Sequence, residues 1–447
     1  MATNRQNELI QPGDYSLDVL NIWTSDGSIV DVRQMVTTVE LYSSMYTQGM
    51  SGQITIKDGL GIDQQFGLHG NEYIELEFSV PTIEENISYF GAITEIKDRS
   101  RSIGDRGQIY VLSFVSLEYY LSTQTKLRKT YSNLTITDII GNIYFEHLNV
   151  PARSKSLTVL DPTFGSHSVC LPNLSPYNAI EWLCTKAQSS RYRSSSNYVF
   201  FENPDGFVLS SLDELALLSP VRQYKFGFEV DSPTDRNVEE SFNNLLAYRV
   251  IRELNTVRDS ERGVYSGTRL YYDSVIRKTG VDYYDYFESY DNFIHLNGDE
   301  GNSRSEILSF QTNKSQIGSN HDVYYTTASK NFGAFDNRTS SMTSDEFSLG
   351  HNSYKHQYGS SSGIRLTAQA HGDTRRKLGQ VVNLQLPSMT PVSDDGTESH
   401  KYLSANYMIV SLSHVLTIGG TGKKSAYTMD MELATDTYGS PFDRSVL

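Results

Sequence analysis

The sequence predicts a mainly β protein with an α+β module, in which two antiparallel β barrels bracket the module and a long insertion splits the second barrel. Three observations carry this reading. Two stretches more than three hundred residues apart share one strand pattern. The first runs Met50-Ser51-Gly52-Gln53-Ile54-Thr55-Ile56-Lys57-Asp58, breaks at Leu68-His69-Gly70-Asn71 and resumes over 72–81; the second runs Ala370-His371-Gly372-Asp373, a basic turn, then 379–387. Each closes in alternating apolar and polar residues ended by proline, the pattern of a half-buried strand that cannot extend its ladder further. A chain with similar β units near its two ends points to an internal duplication. The other two observations are regularly spaced turn signals between alternating runs, and helical periodicity confined to the middle of the chain.

Residues 1–120 form the first predicted β domain. Strands are expected over 15–23, 35–42, 52–57, 72–80, 89–97 and 108–117, separated by turn signals such as Asp26-Gly27, Asp58-Gly59 and Asp105-Arg106-Gly107. Short strands at that spacing build antiparallel barrels or sandwiches. Residues 121–215 form the α+β module. Thr135 is placed to cap a helix with Asp138 three residues later, and Ile136, Ile139, Ile140 and Ile143 share one face. A second helix opens with Ser175 as cap and Pro176 at its first position, with Ile180, Leu183, Cys184 and Ala187 as its inner stripe. Residues 198–209 read as strand, turn and strand.

The second β domain is assigned to 216–258 and 365–447, with 242–251 expected as one long strand and 380–386, 407–415 and 426–433 as the closing strands. Gly419-Gly420-Thr421-Gly422 is expected to join the last two as a hairpin loop. Residues 259–364 form the insertion, rich in Ser, Gly, Asn, Asp and Tyr. So little continuous hydrophobicity does not make an independent core, so the insertion is expected to lean on the second β domain or on a partner.

Composition narrows the function classes. The chain has 447 residues, 53 acidic against 38 basic side chains and a net charge of −15. That charge disfavours adhesion to nucleic acid or to anionic membrane, so no stable membrane binding is expected. No apolar run is long enough to cross a bilayer, and the residues after Met1 lack the apolar core of a secretory signal. Two cysteines, Cys170 and Cys184, make no disulfide framework and are expected as buried, reduced thiols. Thirty Tyr and nineteen Phe supply amphipathic surface suited to large protein interfaces.

Catalytic and cofactor motifs are missing from the sequence. There is no nucleophile elbow, P-loop or dinucleotide fingerprint, and Gly359-Ser360-Ser361-Ser362-Gly363 sits in a Ser-rich loop. His351 and His356 lie five apart in a polar loop, and Cys170 and Cys184 do not have zinc-ligand spacing. The reading is therefore of a non-enzyme with no cofactor and no metal. Two sets of residues stand out instead. Glu75 and Glu77 oppose the apolar face of one terminal β unit, and Asp430 and Glu432 oppose that of the other; they are candidates to line a channel when copies assemble. Tyr283, Tyr284, Tyr286 and Tyr290, interleaved with Asp282, Asp285, Glu288 and Asp291, are candidates for partner contact. The basic runs 126–129 and 375–377 are expected to solvate turns or to meet acidic neighbours.

In order along the chain, Met50–Asp58 with His69-Gly70-Asn71-Glu72-Tyr73-Ile74, the helix over 175–187 leading into Tyr198-Val199-Phe200-Phe201-Glu202, and Gly379-Gln380-Val381-Val382-Asn383-Leu384 followed by Tyr402–Val410 and Ser413-His414-Val415 resemble the central baseplate hub protein of contractile-tailed bacteriophages. The hub part of type VI secretion spike proteins shares that fold. The similarity spans most of the chain outside the insertion. The resemblance implies two tail-tube-like barrels per subunit and a homotrimer presenting a pseudo-sixfold ring. Such a ring adapts a hexameric tail tube to a trimeric cell-puncturing spike and leaves a channel for DNA as transient cargo. It implies a location in the virion tail baseplate after synthesis in the host cytoplasm. The implied partners are the tail tube protein and a separate spike protein, with tape-measure and baseplate wedge proteins as further candidates. The competing reading from another class is a receptor- or carbohydrate-binding tail protein that uses the Tyr-rich insertion.

Overall fold

The computed structural model describes residues 13–81, 83–101, 107–192, 195–227, 242–252, 266–273, 277–285, 294–298, 323–327, 364–388, 399–419 and 425–439. Strands β1 (Ser16–Trp23), β2 (Ile29–Asp31), β3 (Val36–Ser44) and β4 (Ser51–Asp58) come first, then the short helix α1 (Ile62–Gln65), then β5 (Tyr73–Ser79), β6 (Ile87–Ser100) and β7 (Gln108–Ser116). The module follows with α2 (Leu117–Gln124), β8 (Thr130–Leu134), α3 (Ile136–Ile143), a π-helical turn at Tyr144–Leu148, β9 (Ser156–Val159), β10 (His167–Cys170), α4 (Pro176–Cys184), β11 (Tyr198–Asn203), β12 (Gly206–Ser211) and α5 (Leu212–Ala216). Then come β13 (Arg222–Lys225) and β14 (Leu245–Arg252), the insertion strands β15 (Ser266–Asp273), β16 (Lys278–Asp285) and β17 (Val323–Thr327), and finally β18 (Ile364–His371), β19 (Val381–Gln385), β20 (Asn406–Thr417) and β21 (Ala426–Thr435).

The alternation read from the sequence decides the faces. Ile74, Leu76 and Phe78 of β5 are fully buried while Glu75 and Glu77 between them are half-exposed. In β21, Tyr427, Met429, Met431 and Leu433 are buried. Directly opposed residues of paired strands point to the same side of a sheet. The registers Leu76↔Tyr89, Phe114↔Ile93, Ile54↔Leu112, Val39↔Ile54, Leu416↔Val39, Met431↔Leu412 and Ala368↔Met431 therefore put every apolar row on one side.

The two β halves are not separate sheets. They form one thirteen-stranded sheet in the order β14-β18-β21-β20-β3-β4-β7-β6-β5-β1-β2, with β19 pairing β20 and β13 pairing β19 beside that path. The joint is β20. Its first residues pair with β19 and its remainder, from Ser411 to Thr417, pairs with β3. Leu416 and Tyr427 belong to the apolar core of the first half, while Leu412 and Met429 belong to that of the second.

Within this sheet the duplication is topological. The first half is ordered β3-β4-β7-β6-β5-β1 and the second β14-β18-β21-β20-β19-β13, so the same chain order gives the same spatial order twice. The halves differ at one end, where β1 is antiparallel to β5 but β13 is parallel to β19. The backbone bonds Ile93 N–H to Glu72 O and Ile409 N–H to Gln380 O occupy the same place, which equates Tyr73-Ile74 with Val381-Val382. The similarity between 72–81 and 379–387 is thus a structural equivalence. The two His-Gly pairs are not equivalent, because His69-Gly70 precedes β5 whereas His371 ends β18.

The module has a third core built around α3, α4, β11 and β12. Thr135 Oγ1 accepts the Asp138 backbone N–H at 3.1 Å, as an N-cap should, and all four isoleucines of α3 are buried. Ser175 holds the cap position of α4 without a capping side-chain hydrogen bond. Two expectations need correction. The strand expected over 242–251 begins at Leu245, because Phe242 instead enters the first core. Cys170 is exposed on β10, at an alternation position that faces solvent; Cys184 is buried. The tips of the expected 419–422 loop lie outside the described residues, although Thr417 opposes Ala426 as a hairpin requires.

In the insertion, β16, β15 and β17 make a small sheet of their own. Residues 294–298 reach back to the second core. Leu296 is buried in it, His295 Nδ1 lies 2.7 Å from Asp436 Oδ2, and Asn297 donates to Thr435 Oγ1 at 3.0 Å while accepting the Asn406 N–H at 2.8 Å.

Candidate functional site: the polar face of the continuous sheet

With both cores on one side, the other side of the sheet is a polar surface crossing both halves. One row of directly opposed residues reads Thr428, Val415, Glu40, Gln53, Ser113, Glu95. The neighbouring row reads Gln369, Asp430, Ser413, Tyr42, Ser51, Val115, and beyond it Thr367, Glu432, Ser411 and Ser44 stand together.

Glu75, Glu77, Asp430 and Glu432 all lie on this side but form two groups. Between β5 and β21 come β6, β7, β4, β3 and β20, so the groups are six strand steps apart along the sheet, which curls so that Phe78 of β5 packs on Tyr427 of β21 across the first core with ring centroids 5.5 Å apart. Glu77 accepts from Asn86 Nδ2 at 2.5 Å. Asp430 accepts from Gln369 Nε2 at 2.9 Å, and Glu432 pairs with Arg365 Nη1 at 3.2 Å. Glu75 is the most engaged. It takes hydrogen bonds from Trp23 Nε1 at 3.1 Å and Asn21 Nδ2 at 3.4 Å, and an ion pair from Arg153 of the module at 2.8 Å. The Arg153 guanidinium lies 3.9 Å over the Phe90 ring, which stacks on Tyr73. Burial alone would raise the Glu75 carboxyl, but bonds from Arg153, Trp23 and Asn21 more than offset it and hold it below its usual range. Glu75 therefore ties the module to the sheet.

Sequence reasoning missed Glu40, which sits between the two groups. Its carboxylate accepts from Gln53 Nε2 at 2.6 Å and from the Tyr42 hydroxyl. Burial, then the bond to Glu40, raises the Tyr42 hydroxyl above its ordinary value. The signal was present in 36–42, where Thr38, Glu40 and Tyr42 oppose Val39 and Leu41. Glu40, Glu95, Asp430 and Glu432 share the middle of the face with Lys57, Lys97, Arg249 and Arg365, so its charge is mixed. Neutral donors hold Glu40 and Asp430, whereas Glu432 is held by a cation.

The other candidates fall elsewhere. On β16, Tyr283 opposes Thr268 and Tyr284 opposes Gly267, while Tyr286 and Tyr290 lie outside the described residues. So do His351, His356 and residues 359–363. Among the described residues, no group of three or more His, Cys, Asp or Glu is placed to hold a metal ion, and no helix is long and apolar enough to cross a membrane. Burial pushes the Cys184 thiol up to about 12, which keeps it protonated and unreactive. In the run 375–377, Arg375 and Arg376 join Arg222 around Asp373 and Lys377 meets Asp205 at 2.8 Å; in the run 126–129, Lys129 meets Glu146 at 2.6 Å while Arg128 donates to Asn173 Oδ1 at 2.8 Å.

No protein-family model and no curated protein matches the chain. Solved structures do. A tail protein from Neisseria meningitidis MC58 is similar over 94% of this chain and 97% of its own, with a TM-score of 0.52 at 12% identity. The 43 kDa tail protein of prophage MuSo2 from Shewanella oneidensis is similar over 95% and 99%, with a TM-score of 0.54 at 9% identity. The fold is that of phage tail proteins, in agreement with the hub resemblance read from the sequence.

Proposed function

We propose that this chain is a structural hub subunit of a contractile phage tail baseplate. In this reading three copies form a ring of six similar β halves, which adapts a hexameric tail tube to a trimeric spike. The observation that carries it is the repeated strand order inside one continuous sheet. A subunit with two near-equivalent halves is what matches threefold to sixfold symmetry, because each copy then fills two of six similar positions. The polar face opposite both cores would line the channel, where carboxylates such as Glu40 and Asp430, held by neutral donors, discourage DNA from adhering. Tail tube and spike proteins are the stacking partners above and below, and the location is the virion tail. No catalytic role is assigned.

Native mass spectrometry with negative-stain class averages tests this. A particle of three chains with a central opening is expected, on adding the spike protein if not before. A particle that stays a compact monomer in both conditions would count against the ring. The competing reading, a glycan-binding tail protein, is favoured by the separate β15 to β17 sheet, whose strands carry Tyr271, Tyr272, Tyr283, Tyr284, Tyr324 and Tyr325. Binding of the full chain to host glycans, lost when residues 259–364 are deleted, would select it.

A further inference from the structure

The joint between the two halves has a counterpart that the single chain leaves unfilled. In β20 the register shifts between Ile409 and Ser411, and from Ser411 onward the strand edge is covered by β3. In β6 the register shifts between Ile93 and Glu95, at the equivalent step. Pairing with β5 ends at Ala92, so from Thr94 to Ser100 no described strand pairs with that edge of β6; Gly70 lies near the Thr94 carbonyl, Arg99 reaches Asp63 of α1 at 3.2 Å, and Thr94, Glu95, Asp98, Arg99 and Ser100 are exposed. No described strand covers the complementary half of the joint either. β14 is the equivalent of β3, with matching register shifts between Val36 and Thr38 and between Leu245 and Ala247. It pairs with β18 on one side and ends the sheet on the other among the described residues, with Leu246 at 42% and Ile251 at 53% exposure.

We infer that β14 of one copy pairs antiparallel with the second part of β6 of another copy, repeating between chains the β3 to β20 joint made within the chain. The occupant is a second copy because this chain supplies both edges that no described strand covers, and because the joint they would make already exists once in its own fold. An exposed edge strand bearing large apolar side chains is a template for pairing, and here the template has a matching receiver. The rows of opposed residues carry over, although β6 and β14 each hold one further register shift, between Lys97 and Ser100 and between Val250 and Arg252, that β20 and β3 lack. Glu40 opposes Val415 in the internal joint; Arg249 stands where Glu40 does, and Ser100 stands where Val415 does. Arg249 of one copy is therefore placed opposite Ser100 of the next. The inference rests on the ring reading and names its contact.

The test uses the full chain with Cys170→Ser as background, Cys184 being buried. Arg249→Cys and Ser100→Cys are introduced singly and together and treated with a short bifunctional thiol reagent, with native mass measured in parallel. Glu40→Cys with Val415→Cys serves as the internal calibration and is expected to link within one chain at unchanged mass. The double variant is expected to shift most of the protein to covalent multimers, and each single variant to shift at least tenfold less. A trimer by native mass without covalent multimers overturns this junction and leaves the ring reading standing. Open covalent chains that never close keep the junction and remove the ring. A chain that is monomeric in every condition, with the spike protein present, overturns both.

Discussion

His414 lies where the two cores meet, its Nδ1 2.7 Å from the Tyr427 hydroxyl and its ring edge-on to Phe78. Burial lowers the imidazole from 6.5 to about 4, so it is neutral in the folded chain at ordinary pH. The unfolded chain then takes up this proton first as pH falls, and stability is full above about 6.5 and lost on the way down to 4. A depression of that size is worth about 3 kcal/mol. His414→Asn should flatten the urea midpoint between pH 7 and pH 4.5, leaving the smaller slope from His371, whose imidazole burial also lowers. Lys155 makes the opposite case, a charge kept buried by partners. Its ammonium lies 2.5 Å from Glu202 and 3.1 Å from Glu118, and Glu202 also accepts the Met50 N–H at 2.8 Å, joining module and sheet. Removing one partner of a buried charge group costs on the order of 3–5 kcal/mol, so Lys155→Met should be strongly destabilising. Burial already raises the Glu118 carboxyl, so the folded variant binds a proton more readily than the unfolded chain. Its stability should recover as pH falls from 7 towards 4.5, a trend that urea titrations at the two ends would read.

Among the elements, β4 depends on a close approach. A Cβ on Gly52 would meet the Glu40 carbonyl oxygen and the Phe114 ring at 2.4 Å each, so β3, β4 and β7 pack there at backbone distance. Gly52→Val should cost on the order of 1–3 kcal/mol or more by overpacking, with thermal unfolding as the measurement and Gln53→Val as the tolerated neighbour. Elements of this kind were legible in the sequence because alternation is a local signal: β3 to β7 and β19 to β21 fall within a few residues of expectation, and so do α3 and the β11 to β12 hairpin. Helices α2 and α5 were not anticipated. In α2 the buried residues are Glu118 and Ser122, so no apolar stripe announces it, and α5 has five residues, too few to show a period. Strand β18 was missed because it begins at Ile364, the last residue assigned to the polar insertion.

For the whole molecule, what the sequence could not show is how distant strands meet. It disclosed the similarity of 72–81 to 379–387, hence the duplication, but the pairing of β3 with β20 leaves no mark on either strand alone. For the same reason the four acidic residues chosen on two strands could be assigned to an outward side, while Glu40, between them in the order of the sheet, was passed over. The joint also has a temporal consequence. Ser43 Oγ donates to the Leu412 carbonyl across 369 residues of chain. During synthesis β3 therefore waits with a bare edge until residues beyond 417 have left the ribosome, and contacts of such sequence separation form slowly. Nascent chains stalled short of β20 should bind chaperones or aggregate through that edge, and release should come abruptly once β20 is available. The strand that merges the two halves into one sheet is thus also the one that times the completion of the subunit.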